Sequence, residues 1–139
     1  MKNIFLLVAM LLGSMAIHAQ NSDLIIEVTG VEQTKGSIQV KVFNRAATFP
    51  KEGQEYKSLR FAVNSDRVVC TVPDLPHGTY AVAIFHDVND NRECDLNFVG
   101  IPTEPYAFSQ NVVPVMQAPS FAETSITHSN TSRIRIKLL

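Results

Sequence analysis

The chain has 139 residues, 45% of them hydrophobic and 18% charged, with Gly 6 and Pro 7. That length holds one ordinary domain, and the composition excludes a disordered chain, a collagen-like repeat and a coiled coil. A formal net charge of −1 supplies no basic field for phosphates, which excludes nucleic acid as a partner class.

The chain opens on a short positive start, Met1-Lys2-Asn3, then an unbroken apolar run over residues 4–13 and a stretch ending at Ala19. This is the three-part layout of a secretory signal peptide, so residues 1–19 are read as a leader removed after Ala19. The apolar run is shorter than the roughly 20 residues that hydrocarbon requires, and no second candidate follows, so no transmembrane anchor is expected. No cysteine follows the run to accept a lipid. Residues 20–139 are then a single exported domain, periplasmic or extracellular.

In the remainder, Val- and Ile-rich segments of period two recur, which is the signature of strands. They fall at residues 24–28, 37–43 (S-I-Q-V-K-V-F), 68–72, 80–85, 121–126 and 133–138. In the last of these, Ile134, Ile136 and Leu138 share one face and Arg133, Arg135 and Lys137 the other, which predicts a sheet with one wet side and antiparallel pairing. No long window has helical spacing, and at most residues 55–60 could make one helical turn. Pro73-Asp74-Leu75-Pro76-His77-Gly78 reads as a hairpin connection, with Pro fixing φ and Gly permitting the turn. Six to seven short strands predict an all-β antiparallel sandwich, immunoglobulin-like or prealbumin-like, because one sheet alone could not cover its apolar face.

Two connections are long, residues 45–59 and 87–105, and long ordered loops tend to be functional or fastened. The second carries the chemistry. After His86 it reads D-V-N-D-N-R-E-C-D, with Asp87, Asn89 and Asn91 at positions 1, 3 and 5, the Glu93 carbonyl at 7 and Asp95 at 9. Six to eight oxygens at such spacing suit Ca²⁺, with Glu104 returning to complete the shell. Two positions depart from that pattern: Arg92 stands where a sharp turn wants Gly, and Phe98 where a bidentate Glu is usual. The alternative is that these Asp and Asn side chains cap turns through their own backbone. The two cysteines, Cys70 and Cys94, are compatible with a disulfide in an exported chain and equally with a buried Cys70 beside a partly exposed Cys94 thiol.

The stretch G-T-Y-A-V-A-I-F-H-D-V-N-D-N, residues 78–91, followed by D-L-N-F-V-G-I-P-T-E-P-Y-A-F-S, residues 95–109, resembles a bacterial secreted family catalogued as domain of unknown function 2141. The family pattern joins H-D-x-N-x-N-G to G-x-P-x-E and G-F-S. Arg92 and Ala107 stand where that pattern has Gly, and Cys94 where it has an apolar residue. The family carries no assigned activity, so the resemblance implies an address and a fold. The D-x-N-x-N-x-x-x-D loop after a strand is also similar to Ca²⁺ loops in prealbumin-like domains of bacterial surface proteins.

Three functions fit the residues. The leading one is a non-enzymatic exported module with a calcium-stabilised loop and a binding surface for an envelope or extracellular ligand, since sandwiches commonly serve as scaffolds. A second is a carbohydrate or peptide binder using Phe49, Tyr56, Tyr106 and Phe108, against which stands the tendency of aromatics, Phe98 included, to pack. The third is a hydrolase using His86 with Asp87 or Glu104; adjacent strand residues point to opposite faces, and no G-x-S-x-G turn surrounds the nearest hydroxyl, Ser109.

Overall fold

The computed structural model describes residues 20–139, so the leader expected at residues 1–19 lies outside the described residues. Among the described residues eight strands form two sheets. In chain order they are β1 (Asn21–Thr29), β2 (Ser37–Phe43), β3 (Lys57–Ala62), β4 (Val68–Pro76), β5 (Gly78–Asp87), β6 (Tyr106–Phe108), β7 (Ile126–His128) and β8 (Ser132–Lys137), with one short helix, α1 (Phe121–Thr124). One sheet has the order β4-β1-β8. The other has the order β3-β2-β5-β6, with β7 also paired to β5. Among the described residues no helix is long and apolar enough to cross a membrane.

The all-β sandwich expected from period-two spacing is what forms. Leu24, Ile26 and Val28 of β1 are fully buried against Ile38, Val40 and Val42 of β2 and Val82 and Ile84 of β5 in one central cluster. Ile136 and Leu138 are buried in the same cluster and Ile134 packs against it, while Arg133, Arg135 and Lys137 are exposed. The pairing differs from expectation at one place: β8 runs parallel to β1, with Ile26 opposite Ile134 and Val28 opposite Ile136. The chain's first and last strands thus lie side by side, which a sandwich permits because the intervening strands form the crossover.

Three local expectations are corrected. Residues 73–78 do not close a hairpin, since β4 pairs with β1 and β5 with β2; the segment carries the chain from one sheet to the other. Residues 57–62 are strand rather than helical turn, held along β2. Residues 121–126 begin as helix rather than strand. Ser120 accepts the Glu123 N–H and the Glu123 side chain accepts the Ser120 N–H, a reciprocal cap that starts a helix and leaves only Ile126–His128 as strand.

The outer face of the five-stranded sheet is exposed along β3, at Ser58, Arg60 and Ala62, but not along β2. Every residue of β2 is buried, Ser37, Gln39 and Lys41 included. A second apolar cluster of Phe43, Phe49, Ala81 and Phe108, joined by Phe121, covers one end of its outer face through edge-to-face rings. The two long loops cover the outer face of β2 and β5 beyond it. That layer is where the candidate site lies.

Candidate functional site

The polar loop starts at the end of β5. There the backbone passes close to the turn after β1: a Cβ on Gly36, whose φ is +69°, would sit 2.1 Å from the Asp87 carbonyl oxygen, so only glycine fits. His86 is buried on the core side and its Nε2 lies 2.7 Å from the Lys35 carbonyl. Asp87, the next residue, points to the outer face and is fully buried.

Asp87 organises the loop as an acceptor. Its Oδ1 accepts the Asn91 N–H at 3.1 Å, and its Oδ2 accepts the Arg92 N–H at 2.8 Å and the Gln39 side-chain amide at 3.2 Å. Asn89 Oδ1 accepts the Asn91 N–H, and Asn91 Oδ1 accepts the Glu93 N–H. Both Asn side chains then turn their NH₂ groups to Asp95, at 2.6 and 2.8 Å. Asp90 lies outside this circle, bound by Arg60 at 2.5 Å and Ser37 at 3.0 Å, and the Arg60 hydrogen bond, then the Ser37 one, holds its carboxyl below the usual range. Arg92 adopts φ +69°, the left-handed backbone for which the position favours glycine.

Glu104 closes the loop from the far end. Its Oε1 accepts the Val88 N–H at 2.9 Å and its Oε2 the Asp95 N–H at 3.3 Å. Asp87, Asn89, Asn91, Asp95 and Glu104 are thus brought together in one hydrogen-bonded loop, to which Glu93 contributes its N–H to Asn91. As arranged, the Asn amides turn N–H groups rather than oxygens toward Asp95, an orientation that a half-turn of either amide reverses, while the Asp87 and Glu104 oxygens accept N–H bonds and keep further lone pairs. Among the described residues no group of three or more His, Cys, Asp or Glu is placed to hold a metal ion. Nor does any described hydrogen bond or ion pair join His86 to Asp87 or Glu104. Ser109 is fully buried, donating to the Thr124 carbonyl at 2.5 Å and accepting the Val82 N–H.

Beyond Asp95 the loop makes a finger. Leu96 bridges Pro102, the Asn97 N–H donates to the Ile101 carbonyl at 2.8 Å, and Asn97 Oδ1 accepts the N–H groups of Val99 and Ile101. Thr103 is anchored to the Asp95 carbonyl through both its N–H and its hydroxyl. This rigid frame holds apolar side chains in solvent: Phe98 is 100% exposed and Val99 63%. A second loop, residues 112–119, holds Val115 at 77% and Met116 at 103%.

Between finger and second loop lies a cleft of about 560 Å³ on the outer face of the five-stranded sheet. Its lining includes Phe85, Tyr106 and Phe108 from β5 and β6, Ile101 from the finger, Met116 from the second loop and Pro50 from the β2–β3 connection. Glu52 and Cys94 line it as well. Glu52 pairs with Lys41, a buried residue whose ammonium lies 5.7 Å from the centre of the Phe85 ring. The Cys94 thiol is pushed up to about 11, first by burial and then by the carboxylates of Glu104, Glu52 and Asp95, with Lys41 opposing. Cys70 is buried in the core, and both cysteines are free.

Of the aromatic residues weighed as stacking surfaces, Phe49 and Phe108 belong to the second apolar cluster and Tyr106 packs against it. Tyr56 is half-exposed beside Tyr80. The residue class that sequence reading missed is the exposed apolar set of residues 112–119. Its signal was present as P-V-M-Q-A-P, apolar residues in a proline-bounded segment without strand period.

Comparison with curated proteins gives no significant match, and comparison with solved structures gives none either. A family model described as "Uncharacterized protein conserved in bacteria (DUF2141)" matches residues 26–135. The match runs from the middle of β1 into β8, through the polar loop and the Glu104 that closes it, and so the chain belongs to this bacterial family of domain of unknown function 2141.

Proposed function

We propose that this protein is an exported, non-enzymatic binding module, and that its ligand occupies the cleft on the outer face of the five-stranded sheet. The observation that carries this reading is the combination of an apolar cleft with apolar side chains fixed in solvent around it. A protein with no use for that surface would gain solubility by placing polar residues at Phe98, Ile101 and Met116. The polar loop serves the cleft as a support: Asp87 and Glu104 fasten its two ends, and the finger stands on them. Export rests on the charged start and apolar run of residues 1–19.

The test is titration with Nile red, a neutral apolar dye. Wild-type protein should enhance its fluorescence saturably, and Ile101→Asp and Met116→Asp should each abolish the enhancement without lowering the melting temperature. Dye binding that survives both substitutions would remove the cleft as the site. Intact mass of the exported protein, expected to lack residues 1–19, tests the address.

A further inference from the structure

The cleft is apolar on its walls and acidic at one end. Glu52 lines it at that end with a side chain that remains 69% exposed. Cys94 beside it feels the carboxylates of Glu104, Glu52 and Asp95 against a single opposing ammonium, that of Lys41. Lys41 is itself committed, paired with Glu52 and 3.9 Å from Glu55. A ligand that fills this cleft therefore meets at one end the exposed Glu52 carboxylate, which with Glu55 faces the single ammonium of Lys41, and mainly apolar contacts elsewhere.

Resting on the proposed use of the cleft for binding, we infer that its occupant is an extended peptide segment with apolar side chains and a lysine or arginine, the cation lying at the Glu52–Cys94 end. Three observations favour a peptide over the other classes. A sugar requires exposed aromatic faces, and of the aromatic residues lining the cleft Phe85 and Phe108 are 5% and 8% exposed and Tyr106 is only partly so, which leaves little face for stacking. An anionic membrane surface is repelled by the same carboxylates that attract a cation. The volume of about 560 Å³ matches a few side chains of a short segment, with the projecting Phe98 and Met116 beside it to extend the contact. Electrostatic complementarity of this kind selects among peptides of equal hydrophobicity.

The probes are two fluorescein-labelled hexapeptides, one alternating leucine with lysine and the other leucine with glutamate, read by fluorescence anisotropy at low and high salt. The lysine peptide should bind at least tenfold more tightly, with affinity falling as salt rises. Ile101→Asp should reduce the binding of the neutral dye, whereas Glu52→Gln should leave dye binding intact and weaken the lysine peptide about fivefold. Equal binding of the two peptides, with dye binding intact, would overturn the charge assignment while leaving the cleft as a binding site. Loss of dye binding and of both peptides would overturn both. Co-sedimentation with phosphatidylethanolamine–phosphatidylglycerol vesicles, without peptide binding, would replace the peptide by a membrane and overturn the inference.

Discussion

Glu104 accepts the backbone N–H of Val88 at 2.9 Å, and with its other oxygen the N–H of Asp95, so one buried carboxylate ties the first residue after β5 to the base of the finger. Val88 and Glu104 are 16 positions apart, and this carboxylate joins the two ends of the loop that Asp87 and Asp90 fasten near its start. A charged acceptor suits two backbone donors, because charge-assisted bonds are stronger than neutral ones.

Removing that acceptor should loosen the loop before it unfolds the sandwich. Glu104→Ala leaves two N–H groups without a partner and should cost about 2–4 kcal/mol. Glu104→Gln keeps one acceptor oxygen and should cost about half as much. Urea unfolding measures both, and amide exchange at Val88 and Asp95 should quicken in each variant. Equal stability of all three proteins would show that the loop is fastened elsewhere.

The loop's hydrogen bonds also predict its response to calcium. Asn89 and Asn91 bond Asp95 through their NH₂ groups, so Ca²⁺ would have to displace those two bonds and turn both amides to bind here. The melting temperature should be the same in millimolar Ca²⁺ and in chelator, and Asp87→Ala should destabilise the protein equally in both. A ligand that binds only the folded state raises stability logarithmically with its concentration. A rise with Ca²⁺ that Asp87→Ala removes would therefore establish the cation site that the spacing suggests.

Much of this was legible in the sequence because alternation reports which face is buried. The strand at Ser37–Phe43 was placed to the residue, and Ile136 faces the core as its spacing requires. What alternation cannot report is a second layer. Gln39 and Lys41 look solvent-facing by pattern, yet they are buried under loops whose paths depend on contacts such as Asp87 with Gln39, 48 positions apart. The Asp and Asn spacing of the polar loop is plain in the sequence, but whether those oxygens meet a cation or N–H groups depends on side-chain rotation. The start of α1 was readable and missed, since S-F-A-E carries the Ser–Glu spacing of a reciprocal cap.

The assigned face of β8 gives a mutational contrast. Ile136 is fully buried, so Ile136→Ala should cost about 2–5 kcal/mol. Arg135 is exposed and shares Glu27 with Arg67, so Arg135→Ala should cost under about 1 kcal/mol. Denaturant midpoints of the two variants measure the difference. Equal losses would contradict the face.

Acid should weaken the protein through two exposed carboxyls. Asp90 is held below 3.8 by the Arg60 hydrogen bond, then the Ser37 one; Glu123 is held below 4.5 by the Ser120 backbone N–H, then the Ser120 side chain. A carboxyl depressed in the folded state binds its proton first in the unfolded chain, so its contribution is present above the unfolded value and is lost as pH falls through the folded one. Stability should hold from neutrality to about pH 5 and decline below about pH 4. Asp90→Asn and Glu123→Gln should each flatten that decline, measured as urea midpoint against pH, and an unchanged slope in both would assign the acid sensitivity to other groups.

The cysteines should be slow rather than absent from thiol chemistry. Burial pushes Cys70 up to about 12 and, together with the neighbouring carboxylates, Cys94 up to about 11. Because the thiolate is the nucleophile, a shift of Cys94 from near 9 to about 11 lowers the reactive fraction at pH 8 by about 100-fold. A thiolate of higher pKa is also more nucleophilic, which returns about a factor of ten, so Cys94 should react with a disulfide reagent about tenfold more slowly than an unhindered thiol, and Cys70 more slowly still because it lies in the core. Denaturation should release both, giving two alkylated thiols by mass without prior reduction. Glu52→Gln should hasten Cys94 modestly at pH 8, since it removes one of the carboxylates that oppose the thiolate. A Cys94 rate unchanged by Glu52→Gln would mean that the acidic end of the cleft does not reach the thiol, which would also weaken the case for a cation there.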